Sequence, residues 1–364
     1  MSIEPQNLHV IRCYERLPPL LGGMERHIQE LTGAQRELGV RVTEVFNRGQ
    51  PAGESVQILR GWKLDQIRPY ALRSALFYAG ALRRELQLDH TQFQVVHVHG
   101  DWPAFLFGSL FAKLIGADAV AATLHECTRG PSALYRIGLK CCDPIFATGL
   151  REARLLAKIT GKVARHLPSA PAEVFFTKPE AQFRPADVIL VGTLTPRKNV
   201  ALALDIASRR PEISIAIFGD GRDRGRLQAL SREKALKNVR FYGSVEREVI
   251  HSAMSSSKLF LNTAFAEGSP TAALEAMACR LPVVLTPSND YSDIVDQGLN
   301  GRVTAGWNAD ELVETIDEFL RDPQRLSRAR AAARQTAERH RWKGKAQIVT
   351  QAMINALERH RTVC

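Results

Sequence analysis

The sequence predicts an α/β fold in two domains, each built around a parallel, doubly wound sheet. Short apolar runs alternate with longer helical patterns along most of the chain, which is typical of repeated strand–helix units. At 364 residues the chain exceeds the usual size of one domain. We place the first domain at 1–170 and the second at 183–340, because a proline-rich stretch without periodicity separates them.

The composition argues against several classes of protein. The six cysteines form no CxxC pair and have no paired histidines, so we expect neither a disulfide framework nor a metal site. The longest uninterrupted apolar run, 104–112, is far shorter than the ~20 residues of a membrane span. Met1 leads within a few residues into the strand-like NLHVIRCY, so we expect no cleaved signal peptide.

The net charge of +11 is concentrated near the C-terminus. Residues 321–364 contain eleven Lys and Arg against three acids, a charge of +8, which leaves +3 for the rest of the chain. Such a segment could contact anionic lipid or a phosphorylated acceptor, or it could be a solvated helix face. Nucleic-acid binding is not expected, because no aromatic residues are interleaved with the basic ones.

The first domain begins with a strand at 8–14 and a helix at 24–38 that ends at Gly39. Gly22 and Gly23 precede this helix, where glycine would let the backbone approach a diphosphate; a plain turn is the alternative. No GxGxxG follows the strand, which argues against a nicotinamide-dependent enzyme.

An amphipathic helix is predicted at 70–86. Its apolar positions at helical spacing predict the side that packs on the core: Leu72, Ala75, Leu76, Ala79, Leu82 and Leu86. Phe77, Arg73, Arg83 and Arg84 remain on the other side, where contact with a membrane is the alternative to a fully core-packed helix.

Three histidines lie at the ends of predicted strands. His97 and His99 share one face of a strand in HVHG and are interpreted as satisfied polar residues, since no third metal ligand is near. His125 directly follows the strand 119–124, at the carboxyl end where active residues of parallel sheets collect. From its position alone, His125 is either a site residue or a core residue.

The second domain contains the most informative stretch, AFAEGSPTAALEAMACRLP at 264–282. Ser269 is predicted to cap the helix that follows, with Pro270 in its first position. The start of a helix suits phosphate, whereas the carboxylates of Glu267 and Glu275 can only accept hydrogen bonds, as from the hydroxyls of a sugar and a ribose. A surface helix with two solvated glutamates is the alternative.

The sequence of this stretch is more informative than the spacing of its two acids. EGSPTAALEAMACRLPVV closely resembles the E-x7-E segment of the retaining, GT-B-fold glycosyltransferases of family 4, and GGMERHIQEL and HVHGDW are similar to other parts of that family. The resemblance implies two Rossmann-like domains that face a cleft. It also implies a last helix, about 341–364, that crosses back to the first domain.

The family resemblance assigns roles to residues of this chain. It implies Lys198, Glu267 and His125 as catalytic residues. It implies donor binding by Gly22, Gly23, Thr193, Arg197, Gly268, Ser269, Pro270, Thr271 and Glu275. The sequence departs from the family in two places: Thr193 stands where an arginine is common, and Ser169-Ala170 replace an Asn-Gly.

The implied reaction moves a sugar from a nucleoside-diphosphate sugar to an acceptor hydroxyl with retention of configuration. No metal or other cofactor is expected. The expected acceptor is a cell-surface polysaccharide, lipopolysaccharide or lipid-linked glycan, and the expected location is the cytoplasm or the inner face of the membrane. Two rivals stay open: a non-catalytic binding or regulatory subunit, suggested by Thr193, and a nucleotide-sugar epimerase.

Overall fold

The computed structural model describes residues 3–17, 23–51, 53–84, 91–125, 132–180 and 183–363. The chain forms two compact units. One contains residues 1–169 together with 342–364, and the other contains residues 170–341.

The first unit is built on a seven-stranded sheet in which every strand pair is parallel. The sheet order is β3-β2-β1-β4-β5-β6-β7. The strands are β1 (Leu8–Cys13), β2 (Arg41–Phe46), β3 (Ser55–Gln57), β4 (Phe93–Gly100), β5 (Ala119–Leu124), β6 (Ile145–Ala147) and β7 (Ala164–His166). The central strands β1, β4 and β5 are buried almost throughout, as expected for a sheet covered on both faces.

Five helices connect these strands: α1 (Gly23–Glu37), α2 (Tyr70–Leu82), α3 (Trp102–Leu114), α4 (Ser132–Leu139) and α5 (Leu150–Thr160). From β1 to β2 the chain moves toward one edge of the sheet, and from β4 to β5 it moves toward the other edge. Right-handed crossovers therefore place α1 and α3 on opposite faces of the sheet. Helices α2, α3, α4 and α5 pack side by side as one layer.

The second unit has a six-stranded parallel sheet with the order β10-β9-β8-β11-β12-β13. Its strands are β8 (Val188–Val191), β9 (Ile215–Phe218), β10 (Val239–Gly243), β11 (Leu259–Asn262), β12 (Val283–Leu285) and β13 (Gly301–Val303). Its helices are α6 (Ala201–Arg209), α7 (Arg224–Glu233), α8 (Arg247–Ser256), α9 (Thr271–Ala278), α10 (Ala309–Leu320) and α11 (Pro323–Arg339). Separate apolar clusters fill the two faces of this sheet.

The last helix, α12 (Trp342–Val363), belongs to the first unit, where it packs against α1 and β5. Trp342 lies edge-on to His27 of α1, with 5.0 Å between the ring centroids. The side chain of Gln35 in α1 also donates to Thr350 of α12 at 2.9 Å. The predicted α/β class, with two parallel sheets and a C-terminal helix returning to the first domain, is therefore confirmed.

The predicted core side of α2 is wrong. Leu72, Ala79 and Leu82 are exposed, whereas Phe77 and Tyr78 are buried. The helix is apolar around most of its circumference, so the apolar spacing fits more than one side. The side with the two aromatic rings packs inward because it buries the larger apolar area.

Gly219 provides a test of the fold at the carboxyl end of β9. Its φ is +127°, and an added Cβ would lie 1.9 Å from the carbonyl oxygen of Gly192. We expect Gly219→Ala to lower the melting temperature of the second unit, because both the backbone conformation and the contact oppose a side chain; strain of this kind costs on the order of 1–3 kcal/mol. Differential scanning calorimetry measures the change.

Gly225→Ala is the matched control, since an added Cβ at this position in α7 meets no atom within 4 Å. Alanine is the better helix former, so the melting temperature should be unchanged or higher. An equal loss in both variants would contradict the assigned cause.

Candidate active site

The centre of the candidate site is an ion pair between Lys198 and Glu267. The Nζ of Lys198 binds Oε1 of Glu267, and the same oxygen accepts from Nδ2 of Asn262 at 2.9 Å. The two charged side chains are 22% and 8% exposed, so the pair is largely shielded from water. Lys198 lies in the loop that follows β8, and Asn262 is the last residue of the neighbouring strand β11.

Main-chain bonds hold the two loops of this pair together. The hydroxyl of Thr263 donates to the carbonyl of Lys198 at 3.1 Å, and the amide of Phe265 donates to the carbonyl of Arg197 at 2.8 Å. Lys198 ends a 3-10 turn, and Asn199 follows in the left-handed conformation with φ +47°. This turn directs the lysine side chain toward the Glu267 loop.

The space beside the ion pair is small. A cavity of about 10 Å³ is lined by Gly192, Lys198, Asn262, Thr263 and Glu267, among others. That volume is about enough for one water molecule. A larger ligand must therefore bind outside this cavity or displace the side chains that form the pair.

The loop from Glu267 to the start of α9 is held from one side. The amide of Glu267 donates to the carbonyl of Ser288 at 3.1 Å, and Asn289 donates to the carbonyl of Gly268 at 3.0 Å. These contacts fix the loop in front of the helix N-terminus, where main-chain N–H groups attract an anion.

The predicted cap of this helix is wrong. The helix begins at Thr271, Pro270 is the residue before it, and no side chain caps it. Pro270 has a ψ of 39°, so it lies outside the helix instead of occupying its first position. The Ser269 hydroxyl instead lies 3.4 Å from that of Thr271.

The remaining donor-binding candidates of the second unit differ in exposure. Thr193 and Arg197 are exposed on the loop after β8, whereas Glu275 is buried within α9. Of the adjacent cations Arg197 and Lys198, it is Lys198 that pairs with Glu267. The roles predicted for Thr193, Arg197, Gly268 and Glu275 stay predictions.

In the first unit, Gly23 is the first residue of α1, and Gly22 lies outside the described residues. The first turn of α1 also contains Glu25, which is buried and pairs with Arg16 at 3.0 Å. The negative charge of Glu25 is favourable at a helix N-terminus. This pair, which lies beside the predicted diphosphate contact, was not predicted from the sequence.

His125 lies in a buried cluster with three other histidines. Its Nε2 is 3.1 Å from Nδ1 of His99, and its ring is 4.8 Å from that of His27. The ring centroid of His97 lies 4.1 Å from that of His99, and Nε2 of His97 forms a hydrogen bond with the hydroxyl of Thr123. Among the residues that the structure describes, Nε2 of His27 and Nε2 of His99 are buried and have no hydrogen-bond partner. Within these residues, the expectation of satisfied strand-end histidines therefore holds for His97 and not for His99.

Burial sets the charge state of this cluster. It lowers the pKa of His125 to about 3 and lowers the pKa of His27, His97 and His99 well below the ordinary value, with neighbouring positive groups adding to the effect on these three. Burial also lowers the pKa of Arg12 to about 9, which leaves it a cation at neutral pH. His125 is therefore a neutral imidazole at neutral pH.

A second group of polar residues in the first unit was not predicted from the sequence. Glu15, which follows β1, pairs with Arg73 of α2 at 2.8 Å, and the Arg73 guanidinium stacks 4.4 Å from the Tyr70 ring. Glu15 and Tyr70 line a small cavity with His99 at the ends of β1 and β4. The only available signal was that Glu15 follows a buried strand, since its partner is 58 residues away.

Solved structures with the same architecture identify the fold class. Sucrose-phosphate synthase from Thermosynechococcus elongatus superposes with a TM-score of 0.77 at 15% identity, covering 97% of this chain and 99% of that chain. Anabaena HepE in complex with UDP superposes with a TM-score of 0.73 at 15% identity, covering 95% and 99%. The fold is that of the GT-B glycosyltransferases.

The sequence assigns the family. The profile described as "Glycosyl transferases group 1" matches residues 173–336, and the profile described as "Glycosyltransferase Family 4" matches residues 21–168. The chain belongs to the family 4 glycosyltransferases, as its E-x7-E stretch predicted, and it is a glycosyltransferase.

Two curated relatives match this chain over nearly the full length of both proteins. D-inositol 3-phosphate glycosyltransferase of Thermobispora bispora is 26% identical, with 94% of this chain and 92% of the relative covered. A GDP-mannose-dependent monoacylated alpha-(1-6)-phosphatidylinositol monomannoside mannosyltransferase of Corynebacterium glutamicum is also 26% identical, covering 88% and 91%.

The described residues contain neither a candidate metal site nor a candidate membrane-spanning helix. Within the ranges given above, there is no group of three or more His, Cys, Asp or Glu side chains that could hold a metal ion. None of the described helices is both long enough and apolar enough to cross a membrane.

The histidine cluster predicts how the stability of the first unit depends on pH. In the unfolded chain each histidine binds a proton near its ordinary pKa of about 6.5, whereas the folded unit holds all four neutral until much lower pH. Stability is therefore full above pH ~6.5 and is lost as the pH falls below it, by up to about 1.4 kcal/mol per pH unit for each histidine.

Melting temperatures of the wild type and of His97→Asn, measured between about pH 7 and pH 5, test this. The variant should depend less steeply on pH, because it lacks one of the four groups. His360→Asn is the control, because His360 is exposed on α12 and the variant should follow the wild type. Identical slopes in all three proteins would rule out the cluster as the cause.

Proposed function

We propose that this protein transfers a sugar from a nucleoside-diphosphate sugar to an acceptor hydroxyl, with retention of anomeric configuration and without a metal ion. The observation that carries the proposal is the Lys198–Glu267 pair, which lies at adjoining strand ends beside the uncapped start of α9. A cation and free helix-terminal amides suit a diphosphate, and a carboxylate suits sugar hydroxyls.

In this proposal the residues of the second unit have separate roles. Lys198 and the main chain from Gly268 to Thr271 stabilise the negative charge that develops on the leaving diphosphate. Glu267 accepts hydrogen bonds from the transferred sugar, and Glu275 accepts them from the ribose. The bond from the anomeric carbon to the phosphate oxygen breaks as the bond to the acceptor oxygen forms, and the acceptor proton goes to the leaving phosphate.

The acceptor is proposed to be a glycolipid or polysaccharide precursor. Relatives named for inositol phosphate and phosphatidylinositol monomannoside support a polar or lipid-linked acceptor. In the first unit, the polar side chains of Glu15, Tyr70 and His99 are proposed to face the acceptor, which must lie outside the cavity of about 10 Å³ that they line. One relative is named for GDP-mannose and one structural neighbour contains UDP, so both bases belong in a binding screen.

Contact of the basic segment 321–364 with an anionic membrane at the cytoplasmic face remains part of the proposal, but fewer of its charges are available than the sequence indicates. Arg330 donates to the carbonyl of Ser257. Arg334 donates to the carbonyl of Ala278 at 2.7 Å, and Arg341 pairs with Glu173 and Glu338. These three arginines hold the second unit together.

Removal of the positive charge at Lys198 tests the enzyme against its non-catalytic rival. Lys198→Gln should reduce turnover by ~10²–10³, because a preorganised charge matters most in the transition state. Glutamine can still donate to Glu267, so the fold should persist. Lys237→Gln, on the exposed surface of the same unit, is the control and should retain full activity.

Thr193→Arg completes this test. If the loop after β8 contacts the diphosphate, a second cation there should tighten nucleoside-diphosphate binding measured by calorimetry. A wild type that binds neither UDP nor GDP, with no gain in Thr193→Arg, would favour a binding or regulatory protein without turnover.

Glu275 and Glu267 should have separable effects. Glu275→Gln should weaken free nucleoside diphosphate and intact donor alike, by on the order of 1.5–3 kcal/mol for a charged hydrogen bond. Glu267→Gln should reduce turnover without lowering the affinity for the free diphosphate. Unchanged diphosphate affinity in Glu275→Gln would refute the ribose assignment.

A further inference from the structure

Two loops of the second unit meet at the carboxyl ends of β8 and β9. The amide of Leu194, in the loop after β8, donates to the carbonyl of Asp220 at 2.9 Å, and the amide of Asp223 donates to the carbonyl of Leu194 at 3.0 Å. Leu194 is fully buried, so these two bonds hold residues 220–223 against the loop that follows β8. The loop after β9 is therefore a fixed neighbour of Thr193, which directly precedes Leu194.

Glycines allow the two loops to approach closely. An added Cβ at Gly221 would lie 2.3 Å from the carbonyl oxygen of Leu194, and one at Gly219 would lie 1.9 Å from that of Gly192. Gly192 in turn lies against Lys198, since an added Cβ there would be 3.8 Å from Cε of the lysine. The loop after β9 thus lies beside the lysine of the candidate site.

The loop after β9 and the first turn of α7 contain three arginines and two acids. Asp220 pairs with Arg224 at 2.5 Å, and both carboxylate oxygens of Asp223 accept from Arg226 at 2.8 Å. The two acids are thus paired with the two arginines that follow. Arg222 is exposed, and its side chain has no hydrogen bond or ion pair within the part of the chain that the structure describes.

A diphosphate in the candidate site needs more positive charge than Lys198 supplies. A nucleoside diphosphate carries more than one negative charge, and Lys198 already pairs with Glu267. Thr193, exposed on the loop after β8, has no charge. A guanidinium suits a second contact, because its planar set of N–H donors can bind two phosphate oxygens at once.

We propose that Arg222 contacts the diphosphate of the donor and supplies the positive charge that is missing at Thr193. This inference rests on the proposed function, because it adds a residue to the same donor site. Together with Lys198, Arg222 stabilises the negative charge on the leaving diphosphate. Arg222 binds phosphate without breaking an existing ion pair, whereas Lys198 must be shared with Glu267.

The sheet order supports this assignment. Strand β8 lies between β9 and β11, so the loop with Lys198 is flanked by the loop with Arg222 on one side and by the loop with Glu267 on the other. The carboxylate for the sugar and the unpaired cation therefore lie on opposite sides of the lysine loop. A donor whose sugar binds Glu267 extends its diphosphate past Lys198 toward Arg222.

Arg222→Gln tests the contact by isothermal titration calorimetry with UDP or GDP, whichever the wild type binds. At ~50 mM salt, where exposed charges are weakly screened, the affinity should fall about five- to tenfold, because a charged hydrogen bond is lost. The affinity for the free nucleoside, uridine or guanosine, should not change in an NMR titration, since it has no phosphate. Arg222→Lys should retain most of the diphosphate affinity because it keeps the charge.

Arg232→Gln is the matched control. Arg232 is exposed in the last turn of α7, the helix whose first turn follows Arg222, so the variant removes the same charge from the other end of that helix. It should bind the nucleoside diphosphate like the wild type. Both variants should keep the melting temperature of the wild type, because both side chains are exposed.

A cation on the neighbouring loop should replace Arg222. Thr193→Arg should raise the diphosphate affinity more in the Arg222→Gln background than in the wild type, because two cations that contact the same phosphates are not additive. Equal gains in both backgrounds would contradict the inference, since the two positions would then act on different groups.

The outcomes separate this inference from the proposed function. A wild type that binds and turns over a donor, with an Arg222→Gln variant of equal affinity, overturns the inference and leaves the proposed function intact. An equal loss of affinity for the nucleoside and the diphosphate would assign Arg222 to the nucleoside instead. Loss of affinity in Arg197→Gln alone would assign the second cation to Arg197. A wild type that binds neither UDP nor GDP refutes the donor site, and both proposals with it.

Discussion

The Lys198–Glu267 ion pair is the interaction on which the candidate site depends. A charge that is mostly shielded from water requires a partner, and here each charge is the partner of the other. The pair joins loops that are 69 residues apart in sequence and adjacent only because β8 and β11 are neighbours in the sheet. A diphosphate that binds Lys198 competes with Glu267, and a sugar that donates hydroxyls to Glu267 compensates that loss. In the proposed function, the donor supplies both the diphosphate that binds Lys198 and the sugar hydroxyls that bind Glu267.

The first unit meets a different electrostatic constraint. It buries Arg12 with four histidines, and burial together with the neighbouring positive charge keeps the imidazoles neutral. Neutral histidines can bond in series, as His99 and His125 do, where one ring donates and the other accepts. Because His99 also lines the cavity with Glu15 and Tyr70, the hydrogen bond between His99 and His125 connects the buried histidines to that cavity. The polar interior of the unit thus reaches the proposed acceptor site.

Periodicity and strand ends made the fold class and many candidate positions predictable, because parallel strands are local apolar runs whose carboxyl ends share one edge. Partnerships were not predictable. Lys198 and Glu267 were both expected at the site, but nothing local indicates that they bind each other or that Asn262 shares the glutamate. The cap at Ser269 failed because capping depends on the backbone angles of Pro270, which residue preference does not determine. The prediction of the buried side of α2 was wrong because a nearly all-apolar helix has no distinct apolar side. The elements that pack against it determine which side is buried.

Formal charge was a poor guide to which surface is available for binding. The segment 321–364 has the largest excess of cations, yet Arg330, Arg334 and Arg341 donate to carbonyls or pair with acids within the second unit. An interaction with an anionic partner depends on charges that are not already compensated. The formal charge of +8 on the segment 321–364 therefore overstates what this segment offers to an anionic partner.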